Sequence, residues 1–299
     1  MKKNYYLWLG IFLASILAVI TFIGPYLPFV DKELTGERLL FPADGGVLVA
    51  PFAPSEQGYL LGSDREGRDM LSLIIVGAKD TFFIVFSIVI IRYAIAIPLG
   101  LFGLKNTGFF PWFVRWWNQL FSSFPVVITA ALILCLPPLL FHDQRMFIAI
   151  WVIALIEVGR VAFIIQKQAY DLSQKPFIEA GVTIGVRPIR MISGYYLPNL
   201  GPEIIVNFFS DIARVVMLIG QLAILNVFIS QIFVQTGYFS FTIFNTSNDW
   251  ATLIKEARRD FIQAIWIPFY PMLAIVISAF TFNLLGEGLR QHFNRHLPS

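Results

Sequence analysis

The chain has 299 residues, of which 57% are hydrophobic and only 14% charged, and its mean hydropathy is +0.71. That balance excludes an ordinary soluble domain and points to a chain that sits mostly in a bilayer. The net charge of +3 comes without a basic cluster interleaved with aromatics, so nucleic acid is not an expected partner, and the single cysteine, Cys135, excludes an intramolecular disulfide or a CxxC metal or redox site.

Lys2 and Lys3 precede an uncharged run from Leu7 to Val30. The run is longer than a signal-peptide core and long enough to cross hydrocarbon, which takes about 20 residues. Gly24-Pro25-Tyr26-Leu27-Pro28 breaks it at its far end, so residues 1–30 read as a short tail and an anchored first helix. Residues 31–80 are polar and rich in Pro, Gly and charge, and read as an extracytoplasmic segment. Five more apolar spans follow near 81–104, 116–141, 146–165, 204–234 and 261–285, with aromatics frequent at their ends as in an interfacial belt. The expectation is an all-α membrane protein of six transmembrane helices, with a five-helix core over 81–285 and a cytoplasmic tail over 286–299. With both termini cytoplasmic, Lys and Arg outside the spans divide 10 inside to 9 outside, a margin too small to orient the chain.

Between spans four and five lies Phe177-Ile178-Glu179-Ala180-Gly181-Val182-Thr183-Ile184-Gly185, with Leu197-Pro198 downstream. Pro176 suits a first helical turn and Gly185 a left-handed cap, which predicts a short helix over about 176–185. Helical spacing gathers Phe177, Ile178, Gly181, Val182 and Gly185 near one side, an apolar ridge with Glu179 as its one carboxylate. Such a segment has the form of a docking knob. An amphipathic helix lying on lipid is the plainer alternative.

Three segments together resemble a known family. Glu179-Ala180-Gly181, then Gly185 after three residues, then Leu197-Pro198, is similar to the EAA signature of bacterial ABC-importer permeases, with Gly181 and Tyr195 departing from its usual residues. Leu61-Gly62-Ser63-Asp64-Arg65-Glu66-Gly67-Arg68-Asp69 resembles a segment of the C-type permease of dipeptide, oligopeptide and nickel importers, carried here by Gly62, Asp64, Gly67, Arg68 and Asp69. Phe282-Asn283-Leu284-Leu285-Gly286-Glu287-Gly288-Leu289-Arg290 resembles that family's C-terminal box. The region after span five departs from the family pattern, with Leu222–Ile229 leading into an aromatic and polar stretch before Trp250.

The resemblance implies a type I (MetI-like) permease subunit that is not itself an enzyme. It implies a second permease subunit, two cytoplasmic ATPase subunits that use ATP and Mg, and an extracytoplasmic solute-binding protein. Glu179, Ala180, Gly181, Gly185, Leu197 and Pro198 would form the ATPase-coupling segment, with Ala180 and Gly181 permitting close approach to the ATPase. Di- or oligopeptides are the implied solutes. A nickel or other small-solute importer, or a membrane scaffold or sensor that has lost transport, stays open.

Charges inside the spans are the remaining feature. Glu157 and Arg160, and Asp211 and Arg214, are each three apart and form candidate local pairs, with a pathway or inter-subunit role as the alternative. Arg92 has no acid within four residues, so it needs a partner from another helix or subunit, a wet cavity, or an anionic ligand group. It is expected to face the bundle interior or the partner permease. The chain has no GxxxxGK[ST] phosphate loop, the Gly62–Gly67 run lacks the ligand spacing of an EF-hand, and His142, His292 and His296 show no paired metal-ligand spacing. No cofactor or metal is expected on this chain.

Overall fold

The computed structural model describes residues 4–41, 46–56, 58–104, 108–235 and 241–294. Lys2, Lys3, Lys105, Arg295 and His296 lie outside them. Helix α1, Tyr5–Phe22, begins at Asn4, whose side chain accepts from the Leu7 N–H at 3.2 Å. A 3₁₀ turn at Gly24–Tyr26 ends the first apolar run early, as Pro25 requires. Two short antiparallel strands follow, β1 (Leu39–Leu40) and β2 (Leu48–Val49).

Helix α2, Met70–Phe102, starts well before the expected boundary at residue 81. Asp69 is its N-cap, accepting from the Ser72 N–H at 2.7 Å, and Lys79 and Asp80 lie inside the helix instead of ending a loop. The non-helical part of the 31–80 segment therefore ends at Asp69. The third apolar run is broken: α3 (Phe109–Ser122) and α4 (Val126–Leu134) meet at 89°, with Pro125 as the α4 N-cap, and a single turn, α5 (Pro137–Leu140), completes it.

Helix α6 (Arg145–Ser173) leads to the short α7 (Pro176–Thr183). A turn, α8 (Pro188–Met191), and a five-residue π-helical stretch at Ile192–Tyr196 run directly into α9, Leu197–Ile224. Pro198 cannot donate to a carbonyl one turn earlier, and the widened π turn sits where that bond is missing. Span five was expected to reach residue 234, but the helix stops ten residues sooner. Asn226 takes a left-handed conformation (φ +58°), and the Val227 and Asn226 N–H groups donate to the Leu222 and Ala223 carbonyls, both at 2.9 Å, as a Schellman cap. The apolar residues beyond it form β3 (Gln231–Gln235), paired antiparallel with β4 (Phe241–Asn245). After a short α10 (Ala257–Gln263), α11 (Trp266–Asn294) carries on as helix through most of the expected tail.

Helices α2, α6, α9 and α11 bury the core, which includes Ile88, Ile153, Ile165 and Ile212. Small residues set the closest approaches. A Cβ on Gly159 of α6 would lie 2.6 Å from the Asn118 backbone N of α3, and one on Gly288 of α11 would lie 2.5 Å from the Leu7 Cα of α1. Trp250 is buried against α2, donating from Nε1 to the Ile74 carbonyl at 2.9 Å. Among the described residues α1, α2, α6 and α11 are long and apolar enough to cross a membrane, and the bent pair α3–α4 makes up to five. The described residues are mostly helical, with two small antiparallel strand pairs between the helices.

Candidate functional site

The α7 segment is built as a cap-defined knob. Pro176 occupies its first turn, and Gly185 (φ +78°) ends it: the Gly185 and Val186 N–H groups donate to the Val182 and Gly181 carbonyls at 3.0 and 3.1 Å. The expected single ridge is split. Ile178 is buried and Gly181 faces Met191, whose sulfur would be 3.0 Å from an added Cβ. Gly181 therefore serves packing within the chain. Its smallness lets the α8 turn fold back onto α7. The outward face holds Glu179, Ala180, Phe177, Val182 (64% exposed), Ile184 (76%) and, beyond the cap, Ile189 (83%). Leu197 and Pro198 are exposed at the start of α9. An uncovered apolar patch around one carboxylate is a docking surface in form.

The Gly62–Asp69 loop is a self-contained turn. Gly62 and Gly67 both take φ +78°, and a Cβ on Gly67 would collide with the Glu37 carbonyl. Asp64 accepts from the N–H groups of Glu66 and Arg68 at 2.9 and 2.8 Å and from Arg68 Nε at 2.7 Å. Burial pushes its carboxyl up, against the lowering effect of Arg68. Arg65 reaches across to α10, pairing with Asp260 and, at 3.4 Å, with Glu256, while Trp266 Nε1 donates to the Ser63 carbonyl at 3.0 Å. The loop thus ties the start of α2 to the start of α11. A cleft of about 330 Å³ lies between them. Among the described residues no group of three His, Cys, Asp or Glu side chains could hold a metal ion.

At mid-length of α2, α6 and α9 the structure brings the five intraspan charges together. Arg92 is 0% exposed and pairs with Glu157 at 2.9 Å and Asp211 at 3.6 Å. Arg160 donates to Glu157 at 2.8 Å and to Asp211 at 2.7 Å, and Arg214 stands 3.8 Å from Asp211. The two local pairs are therefore parts of one network spanning three helices, and both acids serve the arginine that lacked a local partner. Three guanidinium groups face two carboxylates.

A family model described as the binding-protein-dependent transport system inner membrane component matches residues 93–298. The chain belongs to this family. It is a multi-pass membrane protein of a bacterial inner membrane and a transport component, not an enzyme. The match takes in α7 and four of the five clustered charges, with Arg92 one residue before it. Full-length similarity extends to the dipeptide transport system permease protein DppC of Haemophilus influenzae, 25% identical over 97% of this chain and 90% of that protein. The probable D,D-dipeptide transport system permease protein DdpC of Escherichia coli is 25% identical over 81% of this chain and 75% of its own length. The glutathione transport system permease protein GsiD of Shigella dysenteriae is 26% identical over 79% and 72%. One feature of this inner membrane component escaped the reading of its sequence. Glu203, Asn207, Ser210, Arg214 and Gln221 form a polar stripe left exposed or half-buried on α9, and their three- and four-residue spacing was the available signal.

Proposed function

We propose that the chain is one of two permease subunits of an ATP-driven importer of short peptides, and that α7 docks on a separate ATPase subunit. The carrying observation is the outward face of α7, where Phe177, Val182, Ile184 and Ile189 stand uncovered around Glu179 on a helix closed by the Gly185 cap. Glu179 would offer its carboxylate to a cation of the ATPase, and ATP-driven closure would move α7 and the helices joined to it as rigid bodies. On this reading α9 is the fifth of six spans and bent α3–α4 the third, so α7 and both termini share one side, the cytoplasmic side where the ATPase lies. The Gly62–Asp69 loop and the β3–β4 hairpin then face the solute-binding protein. The peptide class is supported by the relatives, whose names specify dipeptides and glutathione.

The test is ATP hydrolysis by the reconstituted complex, with its binding protein, against a panel of short peptides and nickel. Stimulation by peptides is the expected result. Stimulation by nickel alone, or by nothing in the panel, would contradict the peptide assignment.

A further inference from the structure

One stripe of α9 is polar, between exposed apolar residues such as Ile205 and Ile224. Glu203, Arg214 and Gln221 are exposed and Asn207 and Ser210 half-buried, at three- and four-residue spacings that place them in one stripe with Met217. The uncovered faces of α1 and α11 are instead apolar, with Trp8, Phe12, Phe269 and Phe280 among their exposed residues. A helix face turned to acyl chains is apolar, so a polar stripe in a membrane bundle faces water or protein.

The charge network reaches the surface within this stripe. Arg92 is enclosed, and Arg160 commits Nε and Nη2 to the two acids. Among the described residues Arg214 makes its one ion pair with Asp211, at 3.8 Å, and its side chain is 58% exposed. With three arginines against two acids, the uncompensated positive charge therefore emerges at Arg214. Beside it is a cavity of about 40 Å³ lined by Tyr93, Arg160, Asn207, Ser210 and Asp211. That is room for a small polar group, since one water needs about 10–15 Å³ of such space.

We propose that Arg214, backed by Arg160, is a binding site for the free carboxylate of the translocated solute. A guanidinium presents two parallel donors to a carboxylate, and Asp211 and Glu157 hold the neighbouring arginines in place without neutralising the group. A solute arriving there meets one net positive charge at the edge of the bundle, where attraction exceeds its value in bulk water. The ligand class is a small molecule with an unblocked carboxylate. The proposal rests on the permease reading above and assigns a specificity residue within it.

The test uses the assembled complex in membranes, carrying Cys135→Ser to remove the only cysteine and Met217→Cys to place a thiol one turn from Arg214. The thiol is reacted with a sulfonate-bearing and an ammonium-bearing methanethiosulfonate. The sulfonate reagent is expected to react faster, by about tenfold for one unit charge at this range. Adding Arg214→Gln should abolish the preference, whereas Arg214→Lys should keep it. Dialanine should slow the sulfonate reaction and dialanine amide should not. An unreactive thiol, as when a partner subunit covers the stripe, would overturn the proposal. So would equal rates for the two reagents, or equal effects of the two dipeptides. Peptide-stimulated ATP hydrolysis by the same membranes reads the permease function separately: stimulation without charge preference overturns the site and leaves the function standing.

Discussion

Arg92 shows how far residue-level reasoning reaches. Its place inside an apolar run was visible in the sequence, and so was its need for an acid from elsewhere. Its partners were not, because Glu157 and Asp211 lie 65 and 119 positions away and only packing of three helices joins them. Removing the arginine leaves two carboxylates with one enclosed cation fewer. Arg92→Leu is expected to destabilise the protein by about 3–5 kcal/mol, read from heat denaturation in detergent. Adding Glu157→Gln should recover part of that loss, as expected for groups in one network. An unchanged melting temperature in Arg92→Leu would refute this account of the cluster.

Asp249, in the loop after β4, gives a pH prediction of definite sign. Burial pushes its carboxyl above the usual range, against hydrogen bonds from Ser230, Ser247, Ala251 and Thr252 that favour the charged form. The folded state therefore holds this proton more tightly than the unfolded one. Asp249 contributes a loss of stability as pH rises from the unfolded value, about 4, through the raised folded value, and nothing further above it. Asp249→Asn should flatten that component, so that its melting temperature relative to the parent rises across the window. A difference independent of pH would contradict the assignment.

Among the elements, the short helix α7 was the most legible, because Pro176 and Gly185 mark its ends by backbone chemistry alone. The ridge on it was misread, since helical spacing names a face without saying which side the rest of the chain covers. Met191 and Tyr195, brought back by the α8 turn, claim the Gly181 side. The ends of the long helices were less legible, as Asp69 and Asn226 cap α2 and α9 inside stretches whose hydropathy suggested other limits. Two substitutions test the element-level account. Gly185→Val forces a β-branched residue into φ +78°, at about 1–2 kcal/mol, and should loosen α7 and weaken ATPase coupling while the spans remain inserted. Gly159→Val should part α3 from α6 and cost about 1–3 kcal/mol in thermal stability. Normal coupling in the first, or parental stability in the second, would contradict these readings.

At the scale of the whole molecule, class and family were legible because hydropathy and three sparse motifs extend across the chain. The bend between α3 and α4 was not, since composition does not show that one apolar run will turn through 89°. The assembled picture has α7 at one end of the bundle, the Arg65–Asp260 tie at the other and the charge network at mid-depth. Such an arrangement lets a rigid-body push on α7 reach α6 and α9, the helices on either side of it in the chain, and with them the acids that hold Arg92.

The most direct measurement of this account is peptide-stimulated ATP hydrolysis by the complex carrying Glu179→Arg, with membrane insertion of the variant checked in the same preparation. The account predicts that insertion is normal and stimulation falls by about tenfold or more, the effect of about 1.4 kcal/mol lost at the docking surface. Full stimulation in the inserted variant would show that α7 does not couple the chain to an ATPase.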